Sequence, residues 1–174
     1  MSNYPLVSKL EKLNRNLQIF FAIVCADRCV RIFDYNFNEG STELKDAINA
    51  CLANYVNIID RENLLSVKAS LENAIPILDE VGSQHSCSVY AGTSILCVID
   101  AVLRRELALI INSLNSALEA VDSFSEYNGK GIKDELEWQS TVLGRLSKIP
   151  AEFDEIEFIK QINEDTALWE SEWV

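Results

Sequence analysis

Two cysteines four residues apart, Cys25 and Cys29, are the first side chains in this sequence whose types and spacing could do chemistry. On a helix, with His85 and Cys87 as further ligands, they would form a zinc site. Structural zinc motifs normally contain close Cys-x₂-Cys pairs, and this site would join two segments distant in sequence. We therefore interpret Cys25 and Cys29 as small core residues and expect no metal.

The single histidine, His85, would have to serve as the base of any Cys–His or Ser–His dyad. Its candidate nucleophiles, Ser86, Cys87 and Ser88, lie beside it in a polar connector, and neighbours in a loop rarely reach the required geometry. No nucleophile elbow surrounds them. We interpret His85 as a solvated loop residue.

Charged side chains inside apolar segments are the third set of candidates: Asp27, Arg28, Arg31 and Asp100. A buried carboxylate could act as a general acid or base. It could equally form an internal ion pair that fixes helix register, for example Asp100 with Arg28 or Arg31. We favour the ion pair.

The remaining chemical motifs do not occur. The acidic runs DELE and EFDEIE do not match an EF-hand loop, and Glu-x-x-His, Walker and Gly-x-Gly-x-x-Gly patterns are missing. Basic patches interleaved with aromatic residues are missing too, which argues against nucleic-acid binding. We predict a protein that is not an enzyme and uses no cofactor.

Composition favours a helical protein large enough for a real core. The chain has 174 residues, 48% of them hydrophobic, with 6 Gly and 3 Pro; these are few for a turn-rich sandwich or barrel. Five cysteines, an odd number in mostly apolar surroundings, indicate reduced thiols. The N-terminus lacks an apolar signal region, and the longest apolar run, IFFAIVCA, is too short to span a bilayer. We expect a cytoplasmic location and no membrane contact.

Helical spacing of apolar residues extends over nearly the whole chain and predicts an all-α, single-domain bundle of seven to eight helices across residues 1–174. Two of them, near residues 16–33 and in SVYAGTSILCVIDAVL, are apolar on every side and should be central. Arg104-Arg105-Glu106 is the expected break after the second. The first predicted helix is Leu6–Leu13, where Ser8 and Glu11 have capping-box spacing and Pro5 indicates an earlier start as the alternative. The others are one from Ser41 or Thr42, RENLLSVKASLENAI after the cap Asp60, LALIINSLNSALEAVDSF, DELEWQSTVLGRL and a last one after Pro150.

The last helix carries an apolar stripe on an acidic background. Ile159, Ile162, Thr166, Trp169 and Trp173 recur at steps of three and four, while Glu157, Lys160, Glu164 and Ser171 occupy the other side. We expect the stripe to pack on the body of the protein and the acidic side to face solvent. The tract EYNGKGIKD, with two glycines within three residues, is predicted to be a loop.

Several of these segments, in this order, resemble the YjaG-like bacterial family, a domain-of-unknown-function family (number four-sixteen). The segments are LQIFFAIVCADRCVRIFDYN, ELKDAINACLANYV, NAIPILDE, SVYAGTSILCVIDAVL, DELEWQSTVLGRL and EFDEIEFIKQI. The chain departs from the pattern where the usual proline of the central helix is replaced by Gly92 or Thr93, and the stretch after Arg104 is shorter. The resemblance implies an all-helical fold and brings no established catalytic residues.

The charge distribution directs the functional hypothesis towards a basic partner. The net charge is −12, and residues 122–174 alone carry 13 acidic and 5 basic side chains. Such a surface repels nucleic acid and anionic lipid and attracts basic proteins. We predict a non-enzymatic binding protein of the immunity type, which neutralises a basic toxin by direct binding. The predicted contacts are Glu135, Asp154, Glu155, Glu157 and Glu164 as an acidic rim and Tyr127 as an aromatic anchor.

Self-association is the alternative hypothesis. A helical housekeeping or adaptor protein would bury a helix face against a second copy of itself. Tyr35, Phe37 and the second face of the last helix would be the contact residues.

Overall fold

The computed structural model describes residues 4–36, 41–75, 86–128, 131–150 and 152–164, and in this part of the chain every regular element is a helix. The prediction of an all-α bundle is therefore confirmed. The eight described helices are α1 (Val7–Leu10), α2 (Arg15–Asn36), α3 (Ser41–Asn54), α4 (Arg61–Ala74), α5 (Ser86–Arg104), α6 (Leu107–Asn128), α7 (Ile132–Leu146) and α8 (Glu155–Glu164).

Helices α2, α5 and α6 form the centre of the bundle and pack against one another. Every residue from Ile19 to Ala26 is buried, so α2 has no solvent face in its middle, as its uniformly apolar sequence predicts. Helix α3 packs on α2, α4 and α5, and α4 packs on α3 and α5, while α7 packs on α6 and α2. The prediction of two central apolar helices, α2 and α5, is confirmed.

One described helix, α5, is long and apolar enough to cross a membrane by length and composition. The longest uninterrupted apolar run in the sequence lies in α2 and not in α5, because small polar residues such as Ser94 interrupt the apolar residues of α5. In the bundle α5 is a central helix, and ten of its residues are buried between its neighbours.

Local end signals set most helix boundaries. The carboxylate of Asp60 accepts a hydrogen bond from the Asn63 backbone N–H at 2.8 Å, which confirms the predicted cap of α4. Asn14 caps α2 in the same way through the N–H of Leu17. The predicted capping box at Ser8 is wrong, because α1 begins after Leu6 without a side-chain cap.

The ends of α6 test two further predictions. The break at Arg104–Glu106 is confirmed: α5 ends at Arg104, and Arg105 has a left-handed backbone with φ of 58°. The predicted loop EYNGKGIKD is wrong at both ends, because α6 continues through Asn128 and α7 begins at Ile132. The helix-breaking glycines follow only after Asn128, and the three residues before them are compatible with a helix.

Gly92 of α5 lies against Ile75, the C-cap residue of α4. A Cβ atom built on Gly92 would lie 2.5 Å from Cγ1 and 2.6 Å from Cδ1 of Ile75, the residue that ends α4. Only glycine leaves room for this contact. Gly144 in α7 differs, since a Cβ atom there would meet nothing within 4 Å.

The described part of the last helix agrees with the predicted stripe. Ile162 is buried and Ile159 half-buried, while Glu157 and Lys160 are exposed. Thr166, Trp169, Ser171 and Trp173 lie outside the described residues, as do Phe37 and the side chain of Tyr35. The packing predicted for both tryptophans therefore stays a prediction.

Candidate functional site

An apolar groove lies between the segment after α3 and the first turns of α8. Its cavity has a volume of about 610 Å³, and its lining includes Ile48, Leu52, Val56, Ile59 and Ile156. Three aliphatic side chains project from its walls into solvent: Val56 is 45% exposed, Ile156 76% and Ile59 82%. Large exposed aliphatic groups gathered at one place are typical of interaction surfaces.

The wall that carries Val56 and Ile59 is shaped by Asn54. Its side-chain oxygen accepts hydrogen bonds from the backbone N–H groups of Ile59 at 2.8 Å and Asp60 at 2.9 Å. Its side-chain amide donates to the carbonyl of Ala50 at 2.9 Å, in the last turn of α3. One buried asparagine therefore folds the connector back on α3 and leaves Val56 and Ile59 outside.

The opposite wall is held by aromatic packing. The ring of Phe20 in α2 lies 5.5 Å from that of Tyr55, 5.3 Å from Phe153 and 5.7 Å from Phe158. Tyr55 also donates a hydrogen bond from its hydroxyl to Glu155 Oε1 at 2.7 Å. Burial, followed by this bond to a carboxylate, raises the pKa of the Tyr55 hydroxyl, so it remains a donor at neutral pH. These contacts fix the start of α8 beside the connector.

Arg105, which follows α5, binds the backbone of the lining residue Tyr55. Its guanidinium donates to the carbonyl oxygen of Tyr55 at 2.8 Å and also to Asn16 Oδ1. The left-handed backbone at the end of α5 directs this side chain towards α2 and the end of α3. The sequence predicted the helix break but gave no sign of this bracing role, which depends on long-range contacts.

A second depression adjoins the first. Its volume is about 580 Å³, and it shares Tyr55, Val56 and Glu155 with the groove. Asn14, Leu17, Pro150, Glu152 and Phe153 complete much of its lining. The two depressions therefore meet at these three residues.

The rim of the groove is acidic. Glu152, Asp154 and Glu157 are exposed and Glu155 is half-buried. Part of this acidity stabilises α8 itself: Asp154 accepts from the Glu157 N–H at 2.9 Å, and acids in the first turn complement the helix dipole. Among the described residues that line the two depressions there is no Lys, Arg or His, whereas Asp27, Glu152 and Glu155 are present.

The structure brings together only half of the predicted contact residues. Asp154, Glu155 and Glu157 lie beside the groove. The side chains of Tyr127 and Glu164 are outside the described part of the structure. Glu135 cannot be a surface contact: it is 2% exposed, and its carboxylate accepts from Arg28 Nε at 3.0 Å.

Glu135 belongs instead to a buried polar chain. Tyr4 donates to Gln139 Oε1 at 2.7 Å, and Gln139 donates to Glu135 Oε1 at 3.0 Å. The Arg28 guanidinium lies 4.2 Å from the centre of the Trp138 ring, a cation–π contact. Both carboxylate oxygens are therefore used, as a buried charge requires. No cavity described above opens on this chain, so we assign it to structure.

The predicted internal ion pair exists, but with other partners. Asp100 binds Lys68 of α4, with Nζ 2.8 Å from each carboxylate oxygen, and not Arg28. Arg28 pairs with Glu135. The side chain of Arg31 lies outside the described residues. The observed pair joins α5 to α4. The predicted pairing of Asp100 with Arg28 was wrong, because ion-pair partners depend on tertiary contacts, and its pairing with Arg31 stays a prediction.

The four cysteines Cys25, Cys29, Cys51 and Cys97 bear on the predictions about metal and nucleophilic chemistry. No group of three His, Cys, Asp or Glu side chains is placed to hold a metal in the described part of the chain, and His85 lies outside it. Burial raises the pKa of the Cys25, Cys29, Cys51 and Cys97 thiols. A thiol with a raised pKa is protonated at neutral pH and is a poor nucleophile.

Fold and groove together define a helical bundle with an acidic, apolar surface groove. Comparison of the chain with protein-family models, curated proteins and solved structures found no match. The resemblance to the YjaG-like family therefore stays a prediction.

Proposed function

We propose that this chain is a non-enzymatic, cytoplasmic binding protein of the immunity type, which neutralises a basic protein toxin by covering it. The observation that supports the proposal best is the groove. Exposed Val56, Ile59 and Ile156 lie beside Glu152, Glu155 and Glu157, and the described lining carries no basic side chain.

Charge gives this surface a preferred class of partner. At a net charge of −12 the whole molecule attracts basic proteins over several ångströms and repels nucleic acid. A toxin that cleaves nucleic acid needs a basic cleft to bind phosphates. An acidic binding protein fits such a cleft, and complementary charge accelerates capture, which is valuable when the partner is harmful.

The partner can be sought by affinity capture from the native host. The tagged protein is incubated with lysate and washed at low and then at high salt, since contacts between exposed charges are screened by salt. We expect a basic protein that stays at low salt and leaves at high salt. Co-expression of that protein with this chain should then relieve its toxicity.

A matched pair of variants tests the assigned surface. Glu152→Lys with Glu157→Lys reverses two exposed acids at the groove, since Glu152 lines the second depression and Glu157 follows the lining residue Ile156. Glu119→Lys with Glu137→Lys reverses two exposed acids that neither line the groove nor adjoin a lining residue in the chain. Net charge changes equally in both. We expect the rim variant to lower the association rate about tenfold and the control by less than threefold. Equal effects in the two variants would remove the groove from the proposal.

A further inference from the structure

We infer that the groove binds one amphipathic segment of the partner, in which aliphatic or aromatic residues are flanked by lysine or arginine. This inference rests on the proposed function and specifies the recognised chemistry. It follows from three properties of the described surface. Apolar side chains project from it, it extends over two adjoining depressions, and the described linings of these depressions carry carboxylates and no basic side chain.

The projecting side chains require an occupant that reaches over the rim. Ile59 and Ile156 are 82% and 76% exposed, so neither points into the bottom of the cavity. A small molecule bound at the bottom of a concave pocket has most of its own surface buried there and would leave both isoleucines in water. A peptide segment laid across the groove covers them from above.

The shape favours an extended or helical segment over a compact ligand. The two depressions, of about 610 and 580 Å³, share Tyr55, Val56 and Glu155. A ligand that occupies both must contact the residues that the two linings share. Successive apolar side chains of one segment would enter the two depressions in turn.

The acidic rim disfavours three other occupants of the groove: a second copy of the chain, its own C-terminal residues and an anionic membrane. A symmetric contact between two copies would place the acidic rim against its own counterpart. The ten residues after α8 carry Asp165, Glu170 and Glu172 and no lysine or arginine, so they have the same sign as the rim. An anionic membrane is repelled for the same reason. A segment with flanking cations meets both the apolar walls and the carboxylates.

A display library of random 16-residue peptides tests the inference without a known partner. It is selected against the wild-type protein, against Ile59→Gln with Ile156→Gln, and against Leu65→Gln. Leu65 is 47% exposed on α4 and does not line the groove, so it is the matched control. We expect wild type and Leu65→Gln to enrich sequences that combine aliphatic or aromatic residues with net positive charge, and the double variant to recover at least tenfold fewer.

Four results would overturn the inference. The first is enrichment of neutral or acidic peptides, the second is equal recovery by the double variant, and the third is no enrichment at all. The fourth is occupation by the chain itself. Light scattering that shows a dimer lost in the double variant would assign the groove to a second copy. Recovery that appears only after Trp169→Ala with Trp173→Ala would assign it to the C-terminal residues.

The two proposals fail separately. Enriched basic peptides without a captured toxin would leave the groove as a peptide site of another pathway. A captured basic protein whose binding is unchanged in Ile59→Gln with Ile156→Gln would keep the function and overturn the docking mode.

Discussion

Arg105 joins three parts of the chain through one side chain. Its backbone ends α5 in a left-handed conformation, and its guanidinium binds Tyr55 and Asn16. A residue with a Cβ atom is disfavoured at this φ by about 1 kcal/mol. The hydrogen bonds of the guanidinium to Tyr55 and Asn16 offset this cost.

Substitutions at Arg105 should separate these two effects. Arg105→Ala removes the hydrogen bonds and keeps the backbone cost, so we expect the free energy of unfolding to fall by about 2–3 kcal/mol. Arg105→Gly also loses the bonds but relieves the backbone, and should be about 1 kcal/mol more stable than Arg105→Ala. Urea unfolding measures both. The exposed neighbour Arg104→Ala is the control, expected within about 0.5 kcal/mol of wild type; an alanine variant as stable as glycine would refute the backbone argument.

The burial of Glu135 is indicated by helical periodicity and not by its charge. As one acid in DELE it resembles Asp134 and Glu137, which are exposed. Yet it shares a helical stripe with Trp138 and Val142, at steps of three and four. The stripe indicates burial. Its partner Arg28 is 107 residues away and is not predictable from local sequence.

At the scale of helices, the sequence predicts existence well and ends less well. Uniform apolarity identified α2 and α5 as central, and the Asp60 cap and the Arg105 break were recognised from residue type. The groove was not predicted. One wall depends on the hydrogen bonds of Asn54 to the connector after α3, and the other depends on the contact between the rings of Phe20 in α2 and Phe158 in α8. Neither contact has a signature in local spacing.

Two helix-interior glycines give a matched test of the packing between α4 and α5. Alanine is favoured over glycine in a helix by about 1 kcal/mol. We expect Gly144→Ala to raise the free energy of unfolding by up to about that amount, because the site is open. Gly92→Ala would bring its Cβ within 2.6 Å of Ile75 and should lower it by about 1–3 kcal/mol.

Urea unfolding of both variants gives the comparison directly, since helix propensity acts equally in each. Equal stabilisation by the two alanines would mean that Ile75 moves aside without cost, and α4 would then not be held against Gly92.

For the molecule as a whole, we expect the buried thiols to lower the free energy of unfolding as the pH becomes alkaline. Burial raises the Cys51 pKa above its ordinary value of 9.0, so the folded state keeps a proton that the unfolded state loses. A raised folded pKa means that the stability is complete below pH 9 and declines as pH rises above it. Each such thiol contributes a slope of about 1.4 kcal/mol per pH unit.

Cys51→Ala removes one of these protons. Between pH 9 and 11 its free energy of unfolding should decline less steeply than that of wild type, by about 1.4 kcal/mol per pH unit. Urea unfolding at half-unit steps measures the slopes, with Gly144→Ala as a variant whose slope should equal wild type. Identical slopes for Cys51→Ala and wild type would show that this thiol ionises alike in both states.

The buried polar chain has a consequence for the order of events during synthesis. Arg28 and Tyr4 leave the ribosome 107 and 135 residues before Glu135 and Gln139 respectively. At ~5–20 residues per second, Arg28 waits roughly 5–20 s for its carboxylate. Over that interval the Arg28–Glu135 contact cannot form. The buried polar chain of Tyr4, Gln139, Glu135 and Arg28 can become complete only when α7 has emerged.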